Sequence, residues 1–220
     1  MTNETLPLSG PSRAPASGRP PKQLVIFLHG YGADGNDLIG LAPFFAQALP
    51  DAAFMAPNAP ERCGMGFGYQ WFGITGNLDP ATLAAGVHRA APILDEYVAG
   101  ALKLNDLTSD SLALIGFSQG TMMALDRTMR VGDAAAVVGF SGKVVETASG
   151  LAKDARHPPV LLVHGDADPI VPFASLGEAE HALKTAGFPV EILARPGLQH
   201  GIDQEGAMRA AQFLKANLPA

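Results

Sequence analysis

Leu112-Ala113-Leu114-Ile115-Gly116-Phe117-Ser118-Gln119-Gly120 decides how the rest of this chain is read. An apolar run ends at a serine flanked by two glycines. Thr121 to Met129 follows with Met122, Leu125 and Met129 at helical spacing. Strand, abrupt turn and helix in that order form a nucleophile elbow, which lifts a strained serine clear of the end of a sheet. The glycines have a steric reason to be there. Strand and helix pass so closely on either side of the serine that a Cβ would collide.

Outward from this turn, strands and helices alternate. Gln23 to His29 is a continuous apolar run, typical of a strand buried on both faces. Asn36 or Asp37 is placed to cap a single helix reaching Leu49, and Ala52 to Ala56 reads as the next strand. A loop rich in glycine and aromatics fills 57–80, and a helix is predicted over 81–102. After the elbow strand (111–116) and its helix, strands are expected at 134–140, 159–163 and 190–193, with helices at 175–186 and 202–217. The alternation implies an α/β fold with a mostly parallel sheet and helices on both faces. The proline-rich residues 1–22 read as an arm or edge hairpin, leaving 23–220 as one catalytic domain.

Composition narrows the function classes. At 220 residues, 47% hydrophobic and 16% charged, the chain is globular and large enough to bury a substantial core. A net charge of −6, with no basic cluster, argues against nucleic acid, whose phosphates demand a cationic face. No stretch is long and apolar enough to span a bilayer, so no stable membrane insertion is expected. The first residues lack a basic start and an apolar middle, and Cys63 is the single cysteine, so a cytoplasmic location is expected. A homodimer is compatible with these features.

A serine needs a base to take its proton and a third group to orient that base. Six histidines compete. His88 and His181 fall on predicted helices, and His157 precedes a strand at the wrong end of the sheet. His29 and His164 close strands immediately before glycines, where shaping a turn or bonding a backbone carbonyl suits them better. His200 follows the last strand, as the order serine, acid, histidine requires. Asp166 and Asp168 both follow the penultimate strand. Pro169 holds Asp168 in a fixed turn, while Asp166 could serve as a local turn acceptor, so local reasoning favours Asp168 only slightly. The oxyanion of acyl transfer needs fixed donors. The backbone N–H of Gln119 is one, and that of Tyr31, in the loop His29-Gly30-Tyr31-Gly32-Ala33-Asp34-Gly35, is the other. Since the backbone donates, the Gln119 side chain is expected to be dispensable.

The segments Leu28-His29-Gly30-Tyr31-Gly32-Ala33-Asp34-Gly35-Asn36-Asp37, Gly116-Phe117-Ser118-Gln119-Gly120, Asp168-Pro169-Ile170-Val171-Pro172 and Gln199-His200-Gly201 together resemble the phospholipase/carboxylesterase family of small α/β-hydrolases. That family includes bacterial carboxylesterases and acyl-protein thioesterases. The resemblance runs from about residue 22 to the end. It implies an α/β-hydrolase fold without a large lid domain, selects Asp168 as the acid, and supports His200 and the two amides. One departure stands out. The family's Trp-Phe/Tyr-Asp run here reads Trp71-Phe72-Gly73, so its acidic position is lost.

The expected reaction is hydrolysis of a small-molecule carboxylic ester of short-to-medium acyl chain through an acyl-enzyme. Thioester or lysophospholipid hydrolysis is an alternative by the same mechanism, and a non-catalytic binding protein on this scaffold is a distant one. Met65, Phe67, Trp71 and Phe72 are candidates for an apolar acyl wall. The connection from Ser141 to Pro158 is too short for a large lid. Cys63, beside Arg62, has no matched base. Neither cofactor nor metal is expected, because no His/Asp/Glu cluster has ligand spacing.

Overall fold

The computed structural model describes residues 6–64, 66–74, 79–145 and 156–220. In chain order the elements are β1 (Ser12–Arg13), β2 (Gln23–Leu28), α1 (Gly35–Ile39), α2 (Ala42–Phe45), β3 (Ala52–Met55), β4 (Glu61–Arg62), β5 (Tyr69–Gln70) and α3 (Pro80–Leu104). They continue as β6 (Leu112–Phe117), α4 (Gln119–Arg130), β7 (Ala136–Phe140), β8 (Val160–Gly165), α5 (Ala174–Thr185), β9 (Val190–Arg195) and α6 (Gln204–Asn217). One sheet runs in the order β1-β3-β2-β6-β7-β8-β9, with β4-β5 as a separate hairpin. Every pairing in the large sheet is parallel except that of β1 with β3.

The continuous apolar strands mark the layer that helices cover twice. All residues of β2 are buried. Alternate side chains go to opposite faces. Leu24, Ile26 and Leu28 join the core under α3, α4 and α5, while Val25 and Phe27 join the core under α1, α2 and α6. Phe27 packs edge-on against Phe45 at 5.8 Å and stacks on Phe54 at 6.0 Å. Burial of each such ring contributes roughly 1.5–3 kcal/mol, which makes this layer the rigid frame for the loops above it.

Two local expectations are corrected. The helix foreseen as far as Leu49 is two short ones, because Gly40 and Leu41 separate α1 from α2 and Pro43 lacks the N–H that would continue the ladder. Its cap is Asp34, whose carboxylate accepts from Asn36 N–H at 2.8 Å, and not Asn36 or Asp37. The loop 57–80 also contains the hairpin β4-β5. At the N-terminus, Ser12 and Arg13 extend the sheet edge along β3, and Ala56 N–H donates to Pro11 O at 3.0 Å. Within the Ser141–Pro158 connection, 146–155 lie outside the described residues; no large lid domain occurs among those described.

Candidate active site

Strand register assembles the site. Leu28 of β2 pairs with Gly116 of β6, so Gly30 and Ser118, each two residues further on, emerge side by side. The strand order reverses between these neighbours, and ligands gather at such switch points. A Cβ on Gly30 would lie 3.3 Å from Ser118 Cβ. Ser118 has φ 53° and ψ −113°, a conformation that costs a non-glycine residue on the order of 1–3 kcal/mol. The flanking glycines allow it: a Cβ on Gly116 would meet Thr121 backbone at 2.5 Å, and one on Gly120 would come within 1.9 Å of Leu28 O. Helix α4 therefore starts directly against the end of β2.

The candidate acid and base follow β8 and β9, on the far side of β7 from the elbow strand. Asp168 follows β8, and its side chain is fully buried. Its Oδ1 accepts from Ile170 N–H at 2.8 Å and Val171 N–H at 2.9 Å, and its Oδ2 lies 2.7 Å from His200 Nδ1. Burial would raise the Asp168 carboxyl. The bond from His200, the two amides and the imidazole's charge outweigh it and hold the group below its usual range. His200 packs with its ring centroid 4.9 Å from that of Phe117, the residue before Ser118, the planes tilted by 46°. With Nδ1 engaged by Asp168, Nε2 is the nitrogen left for proton transfer. The structure pairs His200 with Asp168 and gives Asp166 another task, because Asp166 Oδ1 accepts from Gly197 N–H at 2.7 Å. His164 Nε2 donates to Val171 O at 3.0 Å and lies 3.3 Å from Asp168 Oδ2, bracing the acid.

Tyr31 stands in the loop after β2, and its phenol is raised above its usual range by a hydrogen bond with Cys63 and then by burial. Cys63 is itself buried, behind this loop. The β4-β5 hairpin is laced to the loop by Gly32 N–H to Tyr69 O (2.9 Å) and Tyr69 N–H to Ala33 O (2.8 Å). The first N–H of α4, that of Gln119, has no acceptor within its helix, as at any helix start. The Gln119 side chain is not idle, contrary to the expectation from sequence. It is 1% exposed, accepts from Trp71 N–H at 2.9 Å and donates to Phe72 O at 2.8 Å. Sequence reasoning missed this because the partners are backbone atoms of a distant loop.

The expected acyl wall is largely displaced. Trp71 and Phe72 are each 1% exposed and pack in the core beneath the loop, Phe72 against Gly86. Phe67 is 63% exposed on the hairpin between β4 and β5, and Met65 lies outside the described residues. Two cavities are lined by other residues. One of about 330 Å³ is lined by Pro80, Leu83, Lys143, Val144, Val145 and residues of α5, close to Gly142, whose backbone abuts Ser118 O. Another of about 210 Å³ is lined by Asp37, Leu38, Leu41, Phe117 and Ile202. At Gly73 a Cβ would meet Gln70 Nε2 at 3.4 Å, an ordinary contact, so nothing steric demands glycine where the family carries an acid. Among the described residues no cluster of His, Cys, Asp or Glu could hold a metal ion, and no helix is long and apolar enough to cross a membrane.

The family model for Phospholipase/Carboxylesterase matches residues 12–218. Esterase YpfH of Escherichia coli (strain K12) is 30% identical over 205 residues, covering 91% of this chain and 85% of that protein. Acyl-protein thioesterase 1 of Debaryomyces hansenii is 27% identical over 218 residues, covering 92% and 94%. Among solved structures, that of esterase PE8 superposes with a TM-score of 0.88 at 39% identity, covering 96% of this chain and 99% of the other.

Proposed function

The chain belongs to the phospholipase/carboxylesterase family, and on that premise we propose that it is a serine hydrolase cleaving carboxylic esters of short-to-medium acyl chain. The observation that carries the reading is the buried Asp168 carboxylate at 2.7 Å from His200 Nδ1, with the imidazole against the elbow. Ser118 Oγ attacks the ester carbonyl while His200 Nε2 takes its proton and Asp168 keeps the imidazole in the required tautomer. The Tyr31 and Gln119 N–H groups receive the oxyanion. When the tetrahedral intermediate collapses, His200 returns the proton to the departing alcohol. The same imidazole then deprotonates water, which attacks the acyl-enzyme and releases the acid and Ser118.

Cavity size supports a modest acyl chain, because one cavity is only slightly above and the other below the lower end of ordinary ligand sites, about 300 Å³. Phe67 remains a candidate for the apolar acyl wall, and residues 23–220 act as one catalytic unit with 1–22 as its arm or edge hairpin. A cytoplasmic location fits the lone, buried Cys63. A thioester would pass through the same steps.

Initial rates on aryl esters and thioesters of two to twelve acyl carbons, with fluorophosphonate labelling alongside, test the reading. We expect labelling at Ser118 and kcat/KM that peaks at short or medium esters. Absence of turnover and labelling would remove the hydrolase reading, and a thioester preference at every length would move the assignment to thioesterase.

A further inference from the structure

We propose that His29, Trp71 and Gln119 are positioning residues that lock the two oxyanion-binding amides at a fixed separation through one buried, uncharged hydrogen-bond network. The inference rests on the assignment of Tyr31 and Gln119 N–H as the oxyanion donors.

The first amide is braced by His29, which is fully buried at the end of β2. Ala59 N–H donates to its Nε2 at 3.0 Å, so Nε2 must carry the lone pair. The proton therefore sits on Nδ1, which lies 2.7 Å from Gly30 O and donates to it. Ala33 N–H reaches the same oxygen at 3.3 Å. That carbonyl belongs to the Gly30–Tyr31 peptide unit. A trans peptide is planar, with its C=O and N–H pointing in opposite directions. Holding Gly30 O against the His29 ring therefore aims Tyr31 N–H the other way. Burial keeps the His29 imidazole neutral by pushing its pKa down, against the opposing effects of the Gly30 bond and the Asp34 and Asp37 carboxylates.

Trp71 carries the connection to the second amide. Its Nε1–H donates to His29 O at 3.0 Å, and its backbone N–H donates to Gln119 Oε1 at 2.9 Å. Gln119 Nε2 completes the clamp on Phe72 O at 2.8 Å. Gln119 thus offers its N–H to the site while its side chain grips the segment that also grips His29. Every member is buried and 1% exposed or less. A leucine at 119 would fill similar space, so packing alone does not call for an amide there. Three directed bonds fix a distance, which packing does not. Fixed dipoles of this kind stabilise developing charge because they need no reorganisation when the reaction occurs.

The test uses Gln119→Met, which removes both amide bonds at similar length, and Trp71→Phe, which removes the Nε1–H link to His29 O together with part of a buried ring and keeps the backbone bond to Gln119. Concentrations are set by active-site titration with a fluorophosphonate. Loss of a whole oxyanion donor costs roughly 10²–10³ in kcat, and misaiming one should cost less, so we expect kcat to fall roughly 10- to 100-fold in each variant. KM should stay within about twofold, and affinity for a trifluoromethyl ketone, which forms a charged tetrahedral adduct, should fall in proportion to kcat. The double variant should lose less than the product of the two single losses, since both cut one chain. A lowered Tm with kcat and ketone affinity unchanged means a structural role only and overturns the proposal. Should Gln119→Met fail to fold, Trp71→Phe decides by the same criteria. A wild-type protein that neither labels nor turns over ester defeats the hydrolase reading itself, whereas an active wild type with equally active variants defeats only this inference.

Discussion

Helix α4 meets the rest of the molecule at its first turn through neutral hydrogen bonds and bare backbone, and at its last turn through charge. Gly120 lies against Leu28 O, and the Gln119 amide clasps Trp71 and Phe72. At the other end Arg130 bonds both oxygens of Asp95 (2.7 and 3.1 Å) and Asp126 (3.1 Å). Arg127 pairs with Asp133 through both terminal nitrogens, and its Nε faces Asp95 at 3.3 Å as an ion-pair contact without the geometry of a directed hydrogen bond. Cations suit a helix C-terminus, where the last carbonyls are electron-rich. A charged lattice holds only while every partner is present, and its field would bias any nearby titration. One helix thus separates anchoring from chemistry by about its own length.

Removing the serine should produce the largest difference between the two ends. Ser118→Ala is expected to abolish ester turnover and fluorophosphonate labelling while the unfolding midpoint stays within a few degrees of wild type. Labelling that persists at another residue would sink the assignment. Next comes Asp168→Asn, expected to lower kcat roughly 10⁴-fold, the loss seen when a triad carboxylate becomes an amide. Asp166→Asn, which touches only the turn at Gly197, should cost less than about tenfold, because a neutral oxygen can still accept that bond. If Asp166→Asn proves the more damaging, the acid has been misassigned.

At the charged end the effect should move from rate to stability. Arg127→Met leaves Asp133 without the Arg127 guanidinium, while Asp95 loses one cation and keeps Arg130. The Arg127 side chain is 5% exposed and each aspartate 31%, so we expect a loss on the order of 2 kcal/mol, below that of a fully buried pair. Urea unfolding measures it, and kcat per titrated site should be unchanged. A fall in kcat as large as the fall in stability would show that the two ends are coupled after all.

The same contrast explains what could be read from the chain beforehand. The strands and the sharp turn at Ser118 rest on local chemistry, glycines around a turn and unbroken apolar runs, whereas the preference for Asp168 over Asp166 comes from the family resemblance more than from the proline after it. The local signals sit next to the residues they govern. The role of the Gln119 side chain does not, since its partners are backbone groups of residues 71 and 72. Trp71 and Phe72 read equally well as acyl wall or as packing, because aromatic residues in a loop serve both, and their burial in the structure favours packing. Gly40 and Pro43 signal the break between α1 and α2, but Leu38, Leu41, Phe45 and Leu49 recur at helical spacing and point to one continuous helix. Pairing of β4 with β5 depends on docking to the Tyr31 loop, through Gly32 and Tyr69, which no local pattern announces.

The smallest predicted effect asks whether the neutral end truly excludes charge. The His29 pKa is depressed by burial from its ordinary value of 6.5, so the folded protein binds fewer protons at this site than the unfolded chain does. The sign follows from that difference. His29 contributes stability that is fully present above about pH 6.5 and is lost as pH falls through its lower folded value, at up to about 1.4 kcal/mol per pH unit for one proton. Protonation would also place a hydrogen on Nε2, where Ala59 N–H already donates, turning an attractive contact into a repulsive one. Asp34 and Asp37 oppose the shift without cancelling it. In His29→Gln, whose amide oxygen can replace Nε2 as the acceptor for Ala59, stability between pH 6.5 and 5 should fall less steeply than in wild type. Chemical denaturation at half-unit pH steps measures both slopes, and equal slopes would mean that the buried imidazole accepts its charge without disturbing the end of β2.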